Sequence, residues 1–172
     1  FSKILSPTPT KIKNVMIVGG DRIGYYLANE LSEKRYSIKL VEGDKKRAEE
    51  LAEMLPHVTV VHGNGTQHDL LVEEGIEAMD AFVALTGMDE ENIMLSIFAS
   101  MNNVPKIITK INKDELLPMA TKLGVETVIL PSHLSTNIIV RYARALENTK
   151  GSNVETLYKL MDSNIEALEF KV

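Results

Sequence analysis

Apolar residues along this chain fall into runs of strand length, and between those runs they recur every three or four positions. The run Val15 to Val18 predicts a buried strand, after which Ile23, Leu27 and Leu31 share one helical face beside polar Asn29, Glu30 and Glu33. Ser37 to Glu42 predicts a second strand around Ile38, Leu40 and Val41. Gly43-Asp44 breaks it, and Lys45 to Leu55 carries Ala48, Leu51, Ala52 and Leu55 at helical spacing. Val58 to His62 is a β-rich third strand, Gly63-Asn64-Gly65 a turn, and Gln67 to Glu74 a short helix with Leu70 and Leu71.

Ala81 to Leu85 predicts a fourth buried strand. The helix headed by Asp89 then turns Ile93, Met94, Ile97 and Met101 inward, and Asn102-Asn103 with Pro105 ends it. Lys106 to Ile111 extends again, Asn112 caps a helix over Lys113 to Leu123, and Gly124 stops it. Val128 to Leu130 is the sixth strand, and Ser132 or Ser135 opens a helix through Ile138, Ile139, Tyr142, Ala143 and Leu146. Strands separated by helices of this length pair in parallel through crossovers. Past Gly151-Ser152-Asn153, the runs Val154 to Met161 and Ile165 to Val172 flank Asp162-Ser163-Asn164 and predict a hairpin.

The fold class is therefore α/β: a doubly wound, parallel, six-stranded Rossmann-like sheet, followed by a crossover helix and a C-terminal β-hairpin. At 172 residues the chain suits one main domain, assigned to residues 13–149. Residues 1–12, with Ser6-Pro7-Thr8-Pro9-Thr10, read as a linker. Residues 150–172 read as the start of a truncated second domain, because two strands alone are marginal in water.

Composition narrows the classes. Nineteen basic against 24 acidic residues give a net charge of -5, so attraction to nucleic acid is not expected. The chain has no cysteine, and its four histidines lack a spacing that would gather a metal. No apolar run approaches the ~20 residues of a membrane-spanning helix, so contact with a membrane is expected only through another polypeptide.

Candidate chemistry starts at NVMIVGGDRIGYYLANEL, Asn14 to Leu31, a strand, glycine turn and helix of the kind that holds dinucleotides. Gly19 permits the tight bend and Gly24 a close helix, while the amides of Gly20, Asp21, Arg22 and Ile23 open the helix toward an anion. Glu42 ends the second strand, where an acid accepts hydrogen bonds from a ribose diol and repels a 2′-phosphate. The bland alternative is a plain turn with a solvated acid. Asp21 stands where the fingerprint has its second glycine, and its bulk and charge oppose a pyrophosphate. Arg22 either offsets that charge or is solvated.

Further candidates sit after other strands, where doubly wound sheets place their ligand crevice. Gly63, Asn64 and Gly65 either admit an adenine or merely turn the chain. Thr86 and Gly87 follow the fourth strand, with Asp89 a ligand-facing acid or a helix cap. Lys110 ends the fifth strand, either as a phosphate-facing charge or as a surface lysine. Lys45, Lys46 and Arg47 with Glu49, Glu50 and Glu53 read as an ion-paired, solvated helix face. No serine, histidine and acid are marked as a nucleophilic set.

Five stretches together carry a resemblance: VMIVGGDRIGYYLANEL, IKLVEGDKKRAEELAE, VVHGNGTQHDLL, DAFVALTGMDEENIM and NVETLYKLMDSNIEALEF. From about Lys13 to Val172 the chain resembles the cytosolic TrkA-type regulatory subunits of bacterial Trk potassium-uptake systems. These are built from domains that regulate potassium conductance, or RCK domains. The resemblance implies that NAD or NADH, or alternatively ADP or ATP, binds as a regulatory ligand and no hydride is transferred. It places Gly19, Arg22 and Gly24 near the phosphates, Glu42 at the ribose, Asn64 and Gly65 near the adenosine, and Thr86 and Lys110 at the pocket edge. Asp21 departs from the family's glycine.

The resemblance further implies a non-enzymatic cytoplasmic subunit, held at the inner face of the cell membrane by a potassium-translocating partner. The tandem organisation of such subunits makes this chain similar to a second repeat cut early in its last small domain. Pairing into a dimer or higher homo-oligomer is expected through Ser135 to Leu146, although Ile138, Ile139, Tyr142 and Ala143 would equally cover their own sheet. Two other functions compete. An NAD-dependent oxidoreductase needs a substrate domain and a proton donor, neither of which is visible. A degenerate module would keep the fold and the seam without a ligand, with Asp21 as its mark.

Overall fold

A computed structural model describes the backbone over residues 12–148, 154–160 and 165–170, and side chains over residues 12–144. The linker read at 1–12 lies almost wholly outside those residues, as do the Gly151-Ser152-Asn153 break and the Asp162-Ser163-Asn164 turn. The chain divides into two compact units, Phe1–Ile129 and Leu130–Val172.

The first unit alternates strand and helix. β1 is Asn14–Val18, α1 Arg22–Glu33, β2 Ser37–Glu42, α2 Lys45–Met54, β3 Val58–His62 and α3 His68–Glu73. β4 is Ala81–Ala84, α4 Asp89–Met101, β5 Lys106–Lys110, α5 Leu117–Lys122 and β6 Val128–Ile129. The strands form one six-stranded sheet in the order β3-β2-β1-β4-β5-β6. Every neighbouring pair is parallel. The α/β class and the doubly wound sheet read from the sequence are the architecture observed.

Side-chain alternation explains the continuous apolar runs. Val15, Ile17, Ile38, Leu40 and Val83 point to the face covered by Ala28 of α1 and Leu51 of α2. Met16, Val18, Val41, Phe82 and Ala84 point to the other face, packed on Leu71 of α3 and Leu95 and Ala99 of α4. A strand covered on both faces has no polar side to show. Burying a side chain such as Phe82 or Ile17, both fully buried, contributes ~1.5–3 kcal/mol. The sheet's entry is pinned as well. Asp80 Oδ2 accepts from the amides of Asn14 and Lys13, each at 2.8 Å, and these bonds hold its carboxyl below the ordinary carboxylate range.

In the second unit, α6 is Pro131–Asn148, and β7 (Val154–Leu160) pairs antiparallel with β8 (Ile165–Phe170). α6 starts at Pro131, ahead of either serine proposed to open it. Proline suits a first helical turn, because its fixed φ is helical and its missing N–H would have no partner there.

Four local readings are corrected. α4 does not turn Met94 and Met101 inward. They are 57% and 74% exposed, and Asn92, Ile93, Leu95, Ser96 and Ala99 are buried instead. Two polar residues occupy the inner face because hydrogen bonds satisfy them: Ser96 Oγ lies 2.6 Å from Thr109 Oγ1, and the Asn92 amide spans two loops. The helix expected over Lys113 to Leu123 is a 3-10 turn, Asp114–Leu116, followed by α5, with Pro118 in the first turn of α5. Proline lacks the N–H that an uninterrupted helix would need. Asn112 is no cap. Its amide and side chain are held by Asp89 at 2.8–3.0 Å. On α2, Ala52 faces solvent while Ala48, Leu51 and Leu55 are buried.

Candidate functional site

The turn from β1 into α1 is built on close approaches. Gly19 has φ +108, and a Cβ there would meet the Leu85 carbonyl oxygen at 2.6 Å and the Thr86 nitrogen at 2.8 Å. Only glycine satisfies both the backbone angle and the contact. A Cβ on Gly24 would be driven into the Gly19 carbonyl oxygen, so the first turn of α1 lies directly on the loop. Asp21 is the N-cap residue, with φ -61 and ψ -175. Its carbonyl accepts from Tyr25 N at 2.9 Å, but its carboxylate makes no capping bond. Arg22 and Ile23 follow it in the exposed start of α1.

Glu42 is held by main-chain donors. Its Oε2 accepts from Gly20 N at 2.7 Å and its Oε1 from Asp44 N at 2.8 Å. An ionised carboxylate oxygen has more than one acceptor site, so both oxygens keep capacity for a sugar hydroxyl. Arg47 was missed by the sequence reading, which left it on a solvated face. From the first turn of α2 its Nε donates to Gly20 O at 3.0 Å, while Nη1 pairs with Glu50 at 3.2 Å. The glycine turn is thus gripped from the α2 side at both its N–H and its C=O. No spacing rule reveals that, because the contact depends on how α2 packs beside α1.

After β3, Asn64 Oδ1 accepts from Thr66 N at 2.9 Å and Thr66 Oγ1 at 2.8 Å, folding the loop back on itself. Gly65 lies so close to Val18 that a Cβ would strike its Cγ1, and Gly63 likewise lies against Leu70. After β4, Asn92 Oδ1 accepts from Thr86 N at 2.8 Å. Asn92 Nδ2 donates to Thr86 O at 3.2 Å and Lys110 O at 3.0 Å. Asp89 does not cap α4, whose N-cap is Met88. It accepts from Asn112 and Lys113 after β5.

These loops enclose a cleft of about 270 Å³ at the C-terminal ends of β1, β2, β3 and β4. The strand order reverses between β1 and β4, the position at which doubly wound sheets bind ligands. Of the residues singled out in the sequence, the cleft brings together Gly19 and Asp21, Glu42, Asn64 and Gly65, and Thr86 and Gly87. It adds Thr66 and Glu91, which the sequence reading had not proposed, with Val18, Val41 and Gly43. Gly20 and Gly24 are buried beneath it, and Arg22, Ile23 and Gly63 do not line it. Lys110 is buried, with Nζ donating to Leu85 O at 3.2 Å, and does not line it either. Two wider hollows, about 360 and 700 Å³, open at the opposite ends of the strands and contain neither the glycine turn nor Glu42. Among the described residues, no group of three His, Asp or Glu is arranged to hold a metal ion.

The TrkA-N domain matches residues 15–131, which include the whole of this cleft. The chain belongs to the TrkA-N domain family. It is 33% identical over 156 residues to the Trk system potassium uptake protein TrkA of Vibrio alginolyticus, covering 91% of this chain and 33% of that one. It is 29% identical over 157 residues to a Trk system potassium uptake protein homologue of Methanosarcina mazei, covering 91% and 37%. The chain thus spans about a third of the length of these relatives. They are named for potassium uptake, not for a catalysed reaction. In fold it matches the TrkA-N domain of the Escherichia coli inner membrane protein YbaL, at TM-score 0.68, 18% identity and coverage of 76% and 96%. It also matches a GsuK channel bound to NAD, at TM-score 0.64, 22% identity and coverage of 90% and 26%.

Proposed function

We propose that this chain is a nucleotide-sensing regulatory domain of a potassium-uptake system, in which occupancy of the cleft biases the arrangement of paired domains and thereby a potassium-translocating membrane partner. The reading rests on one observation above others: Glu42 is fixed by the Gly20 and Asp44 amides at the rim of a cleft that the glycine turn opens. A carboxylate so placed accepts a ribose diol without first having to be ordered. Gly19, Asp21, Thr86 and Gly87 line the phosphate side, and Asn64 and Gly65 the adenosine side. NAD or NADH is the favoured ligand and ADP or ATP the alternative, supported by the GsuK channel bound to NAD and a further GsuK structure bound to ADP. Among the described residues no helix is long and apolar enough to cross a membrane, in keeping with a subunit that works from the cytoplasmic side through its partner.

Regulation requires that the ligand bind one arrangement more tightly than the other. Titration calorimetry with NADH, NAD, ADP and ATP, followed by an assay of NADH consumption, tests the reading. Saturable binding with no consumption supports it. Consumption would restore the oxidoreductase, and absence of binding at millimolar ligand would leave the degenerate module.

A further inference from the structure

The cleft carries an unusual charge balance for a phosphate site. Asp21, Glu42 and Glu91 line it, and among the described residues no lysine or arginine does. Of the cations on neighbouring segments, Lys110 is committed to Leu85 O, Arg47 to Gly20 O and Glu50, and Lys113 to Glu90, while Arg22, next to Asp21 in the exposed start of α1, does not line the cleft. Glu42 is fixed by two amides, whereas the Asp21 and Glu91 carboxylates have no hydrogen-bond or ion-pair partner among the described residues. Asp21 stands in the glycine turn and Glu91 in the first turn of α4, so the two acids reach the cleft from two different elements.

Resting on the function proposed above, we infer that Asp21 and Glu91 act as a charge filter that sets which nucleotide the cleft accepts. The first-turn amides of α1 attract a phosphate through partial charges only. The two carboxylates that share the cleft repel it with full charges. A dinucleotide presents a pyrophosphate esterified at both ends, with one ionised oxygen on each phosphorus and no terminal phosphate. ADP and ATP end in a terminal phosphate that adds charge beside those acids. Repulsion therefore grows from dinucleotide to ADP to ATP, and the acids select a dinucleotide by excluding the more highly charged competitors. Placing like charge against the wrong ligand is a common route to specificity.

The test uses the intact chain at low ionic strength without magnesium, titrated with NADH, ADP and ATP. A parallel series uses Asp21→Asn, Glu91→Gln and the double variant. NADH is expected to bind on the order of tenfold or more tighter than ATP. The double variant should narrow that ratio by raising ATP affinity far more than NADH affinity, and added salt should narrow it in the native chain. Both residues are at least partly exposed and, among the described residues, unpaired, so thermal melts of the variants should match the native chain. Equal or tighter ATP binding by the native chain, or a ratio unchanged in the double variant, overturns the filter while leaving a nucleotide site in place. Failure of the native chain and the double variant to bind any of the three overturns the site along with the filter.

Discussion

The lack of a Cβ at Gly24 sets the distance between α1 and the loop it starts from. An added Cβ would collide with the Gly19 carbonyl oxygen, a backbone atom that cannot rotate away. Alanine is the better helix former by roughly 1 kcal/mol, but relieving the overlap means lifting α1 off the turn. Overpacking of this kind typically costs about 1–3 kcal/mol. Gly24→Ala is therefore expected to lose that much in urea unfolding and to weaken nucleotide binding, since the first-turn amides move with the helix. Gly87→Ala is the control. It lines the same cleft, its φ is not in the left-handed region, and a Cβ there meets nothing within 4 Å, so it should unfold as the native chain does. Gly19 and Gly24 were readable from spacing alone, because tight turns and close helices admit few other residues. Arg47 was not, since its grip on Gly20 O depends on how the start of α2 packs against the glycine turn, which no spacing rule gives.

At the scale of elements, the strands were legible and one helix face was not, for a single physical reason. A central parallel strand is apolar on both sides, so Val15 to Val18 and Ala81 to Leu85 declare themselves without any choice of face. A helix face must be inferred from polarity, and α4 buries Asn92 and Ser96 while exposing Met94 and Met101. The buried asparagine ties three strand ends together: it accepts from Thr86 N, beyond β4, donates to Lys110 O at the end of β5, and the Thr86 loop in turn packs on Gly19 beyond β1. Removing a partner from such a group leaves buried polar atoms unsatisfied at about 1–3 kcal/mol. Asn92→Ala should therefore lower stability by that order and also weaken nucleotide binding, because the Thr86 wall loses its anchor. Asn92→Asp keeps the acceptor for Thr86 N but loses both donors and sets a buried carboxylate against the Thr86 and Lys110 carbonyl oxygens, so by urea unfolding it should be no more stable than the alanine variant.

For the whole molecule, the proposed regulation needs more than one cleft, and the stretch that the family resemblance assigns to pairing, Ser135 to Leu146, lies in α6. Its described apolar residues do not cluster on a buried side: Leu134, Ile138 and Tyr142 recur every four residues and are 53%, 57% and 67% exposed, with Ile139 beside them at 65%. A helical stripe of that width left in water is unfavourable, and a second copy of the same helix would cover it with matching chemistry around a two-fold axis. Charge on that stripe would then separate the copies, since all four side chains are exposed. Ile138→Glu combined with Ile139→Glu is accordingly expected to convert the sedimenting species from dimer or larger to monomer, while helix content and intrinsic nucleotide affinity per cleft stay as in the native chain. A native chain that already sediments as a monomer at high concentration, or a variant that remains assembled, would remove α6 from the coupling route and move the search for the pairing surface to another face.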